Sequence, residues 1–419
     1  MARLTARTSD HMPEEVSETT GNLIARYIRQ KGWKHKTLAD KIGRSVSWVS
    51  QVVRDEIEIK DIDLLIRIED VLEIPRDELM DARMGPEKSK LLREQSHIVV
   101  VRKAIAGHPV PQLFSVAAGS GKITVDISNA ERLIHEAWEL IHSSKYQELG
   151  PSLASLIPEL ELASRTSTDH DKLGVLTHLA NAYQIAAAML AKVGDIGAGW
   201  VAADRAITAG ERCNSRGLIL AGQLRLARIL LDSKDRSLGQ HVLEKGIRMV
   251  DDEDSRQDSG LACLVGSCLL TLSIIHARKH EDTKAYECLR SARGIARKLR
   301  STQNDYGTEF GLANVAMHEV AVAVELGEGQ TALNKAKSVP KDTLSKERQA
   351  RYFIDVARAN VLVGSPHEAI EALLAAEKCS LQELSHRGLV ATVIADIEHR
   401  LKHQKYPRNL RELKYRLYN

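Results

Sequence analysis

The sequence predicts an all-α protein, a unit of five short helices followed by a long array of paired helices. Three observations predict it. Aromatic residues are only 4% of the 419 residues and there are just ten prolines, a composition that favours helices over sheets. Apolar residues recur at three- and four-residue spacing almost throughout. Beyond residue 129 the same offsets of small and aliphatic residues return several times, as in a repeat architecture. The chain is also too long for one ordinary core, so two or three structural units are expected.

Residues 1–19 are polar, lack periodicity and contain Pro13, and read as a disordered arm. The five helices fall within 20–82. Thr20 caps the first, whose apolar face is Leu23, Ile24, Tyr27 and Ile28; it stops at Gly32, because glycine accepts the left-handed conformation of a helix end without strain. The second covers 37–42, with Leu38, Ala39 and Ile42 on one face and Gly43 as its stop. Ser45 opens the third, which carries Val46, Val49, Val52 and Val53. Asp61 caps the fourth, and Pro75 starts the fifth at the position where proline is best tolerated. The tight Gly43–Arg44 turn gives the second and third helices a helix-turn-helix geometry, and the small Ala39 lets them pack closely.

Net charge is only +3, but it is unevenly distributed. Residues 21–54 hold eight Lys and Arg against the single acid Asp40, and residues 55–81 hold eleven acids against Lys60, Arg67 and Arg76. One side of the unit can therefore meet a polyanion and the other is repelled by it.

The stretch 32–51, GWKHKTLADKIGRSVSWVSQ, resembles the XRE family of Cro/cI-like repressors, and residues 64–68 and 74–79 are similar to that family's fourth and fifth helices. The resemblance implies that the start of the third helix lies in the major groove of double-stranded DNA. It puts Ser45, Ser47, Trp48 and Gln51 at base edges and Lys34, His35, Lys36, Arg44 and Arg54 at phosphates. The chain departs from the family at His35, where Gln is usual, and at Val53, Arg54 and Asp55.

Residues 83–128 read as a linker: a helix over 87–105, then a loop or short hairpin rich in Gly and Pro. Its Gly119-Ser120-Gly121-Lys122 string is not a phosphate-binding loop, because Val116 stands where Gly is needed and Ile123 where Ser or Thr is needed.

Over 129–400, Gly364 is followed at +5, +9 and +12 by Ala369, Leu373 and Ala376, Gly327 by Ala332, Ala336 and Val339, and Gly194 by Gly199, Ala203 and Ala206. Weaker copies begin at His280 and Lys234. Small residues at these offsets let antiparallel helices approach, and pairs that each leave one face bare stack into a superhelix with a concave wall. The pattern resembles the tetratricopeptide repeat. Residues 306–318 with 324–327, and 138–141 through 156–160, resemble actinobacterial regulators that join an XRE domain to such repeats.

A helical-wheel projection turns Asn181, Gln184, Arg228, Asn314, Met317, His318, Arg351 and Arg358 toward that wall, where carboxamides can clamp a peptide backbone and Arg can take a carboxylate. The partners expected are DNA, a second copy of the chain, and a peptide or small-molecule effector. Residues 401–419 form a basic amphipathic capping helix through Leu410, Leu413 and Leu417.

Five cysteines without ligand spacing point to reduced thiols and no metal. A signal peptide and a run of 18 apolar residues are both lacking, which points to the cytoplasm, at the nucleoid when DNA is bound, and not to a membrane. No catalytic motif and no cofactor cradle is recognisable, so an enzyme is not expected. The sequence therefore reads as a DNA-binding transcriptional regulator, the alternative being a protein-interaction adaptor with a helix-turn-helix that does not bind DNA.

Overall fold

A computed structural model describes residues 19–57, 59, 62–75, 78–79, 82, 96–107, 127–167, 169–231, 235–250, 258–299, 306–385, 388–402 and 407–418. They are overwhelmingly helical, with no strand among them. Contacts divide the chain into two compact units, 1–59 with 66–90 and 60–65 with 91–419.

In the N-terminal unit, α1 is Thr20–Gln30, α2 His35–Ile42 and α3 Val46–Val53; α4, Ile62–Leu72, is divided between the two units after Leu65. Helix α1 is capped one residue earlier than expected, by Thr19, whose Oγ accepts from the Asn22 N–H. Helix α2 begins two residues earlier, which brings His35 and Lys36 into its first turn. Gly43 closes it at φ 70°, ψ 37°. Leu23, Ile24, Leu38, Ala39, Ile42, Val49 and Val52 are buried. Glu78, Leu79 and Ala82 are helical where the fifth helix is predicted, but Asp61 and the neighbours of those three residues lie outside the described residues.

The larger unit opens with α5, Ser96–Ala106. This part of the predicted linker is core: Ile98, Val101 and Ile105 are buried, and Gly150 approaches so closely that a Cβ there would meet the His97 carbonyl at 2.6 Å. The rest of the predicted linker helix, 87–95, and the loop over 108–126 lie outside the described residues. Next come α6 Ile127–His142, α7 Tyr146–Thr166, α8 Asp169–Lys192, α9 Ile196–Arg212, α10 Arg216–Leu230, α11 Arg236–Met249, α12 Ser259–Arg278 and α13 Asp282–Lys298. They are followed by α14 Leu312–Glu325, α15 Gly329–Ala336, α16 Lys346–Leu362, α17 Pro366–Cys379, α18 Leu381–Ser385, α19 Gly388–Arg400 and α20 Arg408–Tyr418.

These helices pack as consecutive pairs. From α6 to α16 each even-numbered helix touches the next even-numbered one, and each odd-numbered partner is wedged between them. Residues with positive φ make the turns inside the pairs: Ser144, Gly194, His280, Gly327 and Gly364. Counting onward from each turn, the +5, +9 and +12 residues are buried throughout, including a copy the sequence reading missed, Leu149, Leu153 and Leu156 after Ser144. The C-terminal α20 buries Leu410, Leu413 and Leu417 and touches α17 and α18.

Contacts also run back across the array. Helix α6 touches α16, the Tyr146 N–H donates to Gln382 Oε1 at 2.8 Å, and the Tyr146 hydroxyl bonds Glu383. Two stretches, Asp171–Lys192 and Ser259–Arg278, have the length and hydropathy of membrane spans, yet 67% and 78% of their apolar windows are buried inside this unit. That is how core helices of a helical stack behave.

Candidate functional sites

Helix α3 is placed by local bonds. Its cap Ser45 sits in extended backbone and accepts from the Trp48 N–H at 3.1 Å, while Val49 and Val52 anchor its inner face. Beyond its end Asp55 turns left-handed at φ 56°, accepting from the Gly21 N–H at 2.9 Å and the Thr19 hydroxyl at 2.5 Å. A Cβ at Gly21 would run into the Val52 carbonyl, so α1 and α3 meet backbone to backbone. Asp55 is thus a clasp on the start of α1.

This frame leaves Arg44, Ser45, Val46 and Ser47 exposed and Trp48 and Gln51 half-buried. The Arg44 guanidinium lies over the Trp48 ring, 5.6 Å from its centroid, a cation–π contact that orients both groups. The side chains of Ser47 and Gln51 make no hydrogen bond with another described residue. His35, expected at a phosphate, is half-buried and bonds Ser50 Oγ through Nδ1 at 2.9 Å. It ties the start of α2 to α3, and Lys34 and Lys36 flank it, exposed and without an ion pair among the described residues. Arg54 is exposed but partly engaged, bonding the Ser50 carbonyl and Glu56.

Two of the acids that follow are matched to cations of the basic stretch. Arg26 pairs with Glu78 at 2.7 Å and Lys31 with Glu73 at 3.1 Å. Tyr27 also donates to Glu78, and burial together with that carboxylate pushes its hydroxyl up to about 12.

Scans against protein-family models, curated proteins and solved structures return no match.

In the larger unit the residues assigned to an open wall are largely interior. Gln184, Asn314, Met317 and His318 are buried, because the even-numbered helices carry their packing on the face that the helical wheel turned toward solvent. The segment 306–310 fills the space in front of them. Gly307, at φ 58°, lies so close to Trp138 that a Cβ would meet the indole at 2.5 Å, and Phe310 packs on Gly266. Arg225 donates to the Tyr306 and Gly307 carbonyls at 2.7 and 3.3 Å and lies over Trp138 at 4.8 Å. Arg348 donates to the Thr308 carbonyl at 2.9 Å, to Asn314 Oδ1 at 3.2 Å and to Glu309 at 3.1 Å. Glu309 also meets His142 at 3.0 Å. Lys192 joins Glu347 and Glu383.

Arg358 is committed to Glu325 and Asp355, and Asn181 to the Thr177 carbonyl. Glu325, held between Arg278 and Arg358, is kept far below the usual carboxylate range despite its burial. His318 donates through Nδ1 to the Asn314 carbonyl at 2.9 Å; burial, Arg351 and Arg348 hold its pKa well down, so the ring is neutral. The Gln184 carboxamide is buried with neither end bonded.

Arg225 and Arg348 were missed from sequence. Each stands three residues before a residue assigned to the wall, Arg228 or Arg351, and that spacing was the available signal. Among the described residues no group of three or more His, Cys, Asp or Glu could hold a metal. Cys263 and Cys268 are buried free thiols, and burial pushes Cys268 up to about 12. A cavity of about 420 Å³ lined by Leu333, Ala336, Val339, Tyr352 and Val356 has Lys337 and Lys341 at its edge. It lacks the converging polar groups of a specific site.

Proposed function

We propose that the chain is a sequence-specific DNA-binding transcriptional regulator of the XRE type, whose tetratricopeptide-like repeat unit senses an effector. The observation that carries the reading is the start of α3. Ser45, Ser47 and Gln51 stand at the start of a capped helix, the side chains of Ser47 and Gln51 are uncommitted among the described residues, and Lys34 and Lys36 have no acidic partner among them.

In this reading α3 enters the major groove. Gln51 offers a donor and an acceptor that match adenine, Ser47 bonds a neighbouring base edge, and Lys34, Lys36 and Arg44 meet phosphates to set register. His35 is reassigned from a phosphate contact to the brace that holds α2 on α3. The protein acts as a cytoplasmic homodimer on two half-sites about 34 Å apart, one helical turn of DNA. An effector held by the repeat unit biases the protein between states that differ in DNA affinity.

Selection of random DNA fragments by the purified chain tests this. It is expected to return a two-fold symmetric site. Gln51→Ala is expected to relax preference at one position per half-site, costing about 1–3 kcal/mol there. Selection that enriches no sequence, or a Gln51→Ala site identical to the native one, would refute the assignment of α3.

A further inference from the structure

Segment 306–310 is held in the way a protein holds a bound peptide. Most hydrogen bonds within a fold join backbone to backbone, but here four successive carbonyls accept from side chains. Those of Tyr306 and Gly307 accept from Arg225, that of Thr308 from Arg348, and that of Glu309 from Asn314 at 3.2 Å. The Glu309 carboxylate is met by Arg348, by His142 and, at 3.1 Å, by the hydroxyl of Ser345, the cap of α16. Phe310 follows, buried against Gly266, whose lack of a side chain makes its room. These partners stand on α6, α10, α12, α14 and α16, so the stack itself assembles the cradle.

The fit is firm but incomplete. Glu309 sits at φ 47°, a left-handed conformation that a residue other than glycine holds only where its surroundings fix it. At Gly307, the Trp138 ring and the Arg225 guanidinium above it each keep one buried donor without an acceptor among the described residues, the indole Nε1–H and the guanidinium Nε–H. Trp138 is 7% exposed and Arg225 3%, and an unpaired donor at that depth is unfavourable. Gly307 has no side chain with which to answer either. A chain that avoided the strain and supplied an acceptor would fill the cradle better than the protein's own segment does.

We propose that 306–310 is an internal ligand: it occupies the binding site of the effector, a short linear peptide that carries a carboxylate side chain followed by an aromatic one and displaces it. The peptide's carbonyls take over Arg225 and Arg348, its carboxylate replaces that of Glu309, and its ring replaces Phe310. Without peptide, the segment keeps those buried cations answered, which the stack needs in order to stay folded. Because the segment is tethered, its local concentration is on the order of millimolar, and this sets the threshold that the peptide must exceed. The site so assigned deepens the effector half of the proposed function and rests on that half alone.

Fluorescence anisotropy of the amidated peptide Tyr-Gly-Thr-Glu-Phe, labelled at its amino end and titrated with the full chain, tests it. Glu309→Gln keeps the shape of the internal segment and removes its charge. That variant is expected to bind the peptide saturably and at least about tenfold more tightly than the native chain, since a weakened competitor leaves the site open for a larger fraction of the time. The same peptide with Gln in place of Glu should bind the variant at least about tenfold more weakly, because the charge-assisted bonds to Arg348 are gone. Should Glu309→Gln not fold, Phe310→Leu, which weakens only the packing on Gly266, should give the same order of affinities.

Equal affinity in the native and variant chains would mean that the peptide binds elsewhere, and overturns the site. So does a lack of saturable binding to the variant, or a Gln peptide that binds as well as the Glu one. Should the peptide fail while a different effector stabilises the repeat unit, this site is refuted and the proposed function stands. Neither result bears on DNA binding.

Discussion

The two units use arginine and lysine in opposite ways. In the N-terminal unit Lys34 and Lys36 are exposed and make no ion pair among the described residues, and Arg44 is exposed beside Trp48. In the larger unit Arg225 and Arg348 are buried to within 5% of full enclosure and gripped by carbonyls and Glu309. Hydration stabilises the first group at no structural cost, and leaves its charges available to a polyanion. The second group is stable only while its partners stay in place, since a buried charge that loses its partner is strongly destabilising. Position, not residue type, therefore separates a binding surface from a structural clamp.

The sharpest way to break that contrast is Arg348→Ala. It leaves Glu309 with His142 and without the Arg348 guanidinium, strips the Thr308 carbonyl of its donor, and should destabilise the larger unit by about 3–5 kcal/mol in urea unfolding followed by circular dichroism. DNA affinity well below the unfolding temperature should not change. If the loss is under about 1 kcal/mol, segment 306–310 is not held by the clamp described above.

A smaller effect sharpens the contrast through pH. His318 is neutral in the folded unit, with its pKa well below the ordinary value, whereas in the unfolded chain it takes up a proton near pH 6.5. Its contribution is therefore complete above about pH 6.5 and is lost as pH falls toward the folded value, at about 1.4 kcal/mol per pH unit. His97 and His178 are shifted the same way by burial and add to the slope. Glu325 acts only lower, from about pH 4.3 downward, as its unfolded form gains a proton. Stability measured from pH 7 to pH 5 should fall more gently in His318→Gln than in the native chain, and equal slopes would mean that His318 titrates freely.

Much of the fold is legible in the sequence, and the reasons are local. Ser45 as a cap, Gly43 as a stop and the small residues five, nine and twelve positions after each turn are signals that a single helix or pair already contains. The exposed cations were legible too, because a run of Lys and Arg with one acid needs no tertiary structure to be noticed. The interior was not. A helical wheel shows that Asn314 and His318 share a face, but not that segment 306–310 covers that face or that Arg348 reaches it from a helix 34 residues away from Asn314. The same limit hid the bond between Tyr146 and Glu383, which are 237 residues apart. His35 illustrates the intermediate case. Its position beside two lysines suggested a phosphate contact, and only the fold reveals Ser50 as its partner.

The central claim, that exposed unpaired cations beside α3 engage duplex DNA, is tested most directly by the salt dependence of binding to the selected site. Each phosphate contact contributes about 0.9 to the slope of log affinity against log salt. The account predicts that Lys34→Ala with Lys36→Ala lowers the slope by roughly 2 while leaving the preferred sequence unchanged. An unchanged slope, with affinity intact in the double variant, would contradict it.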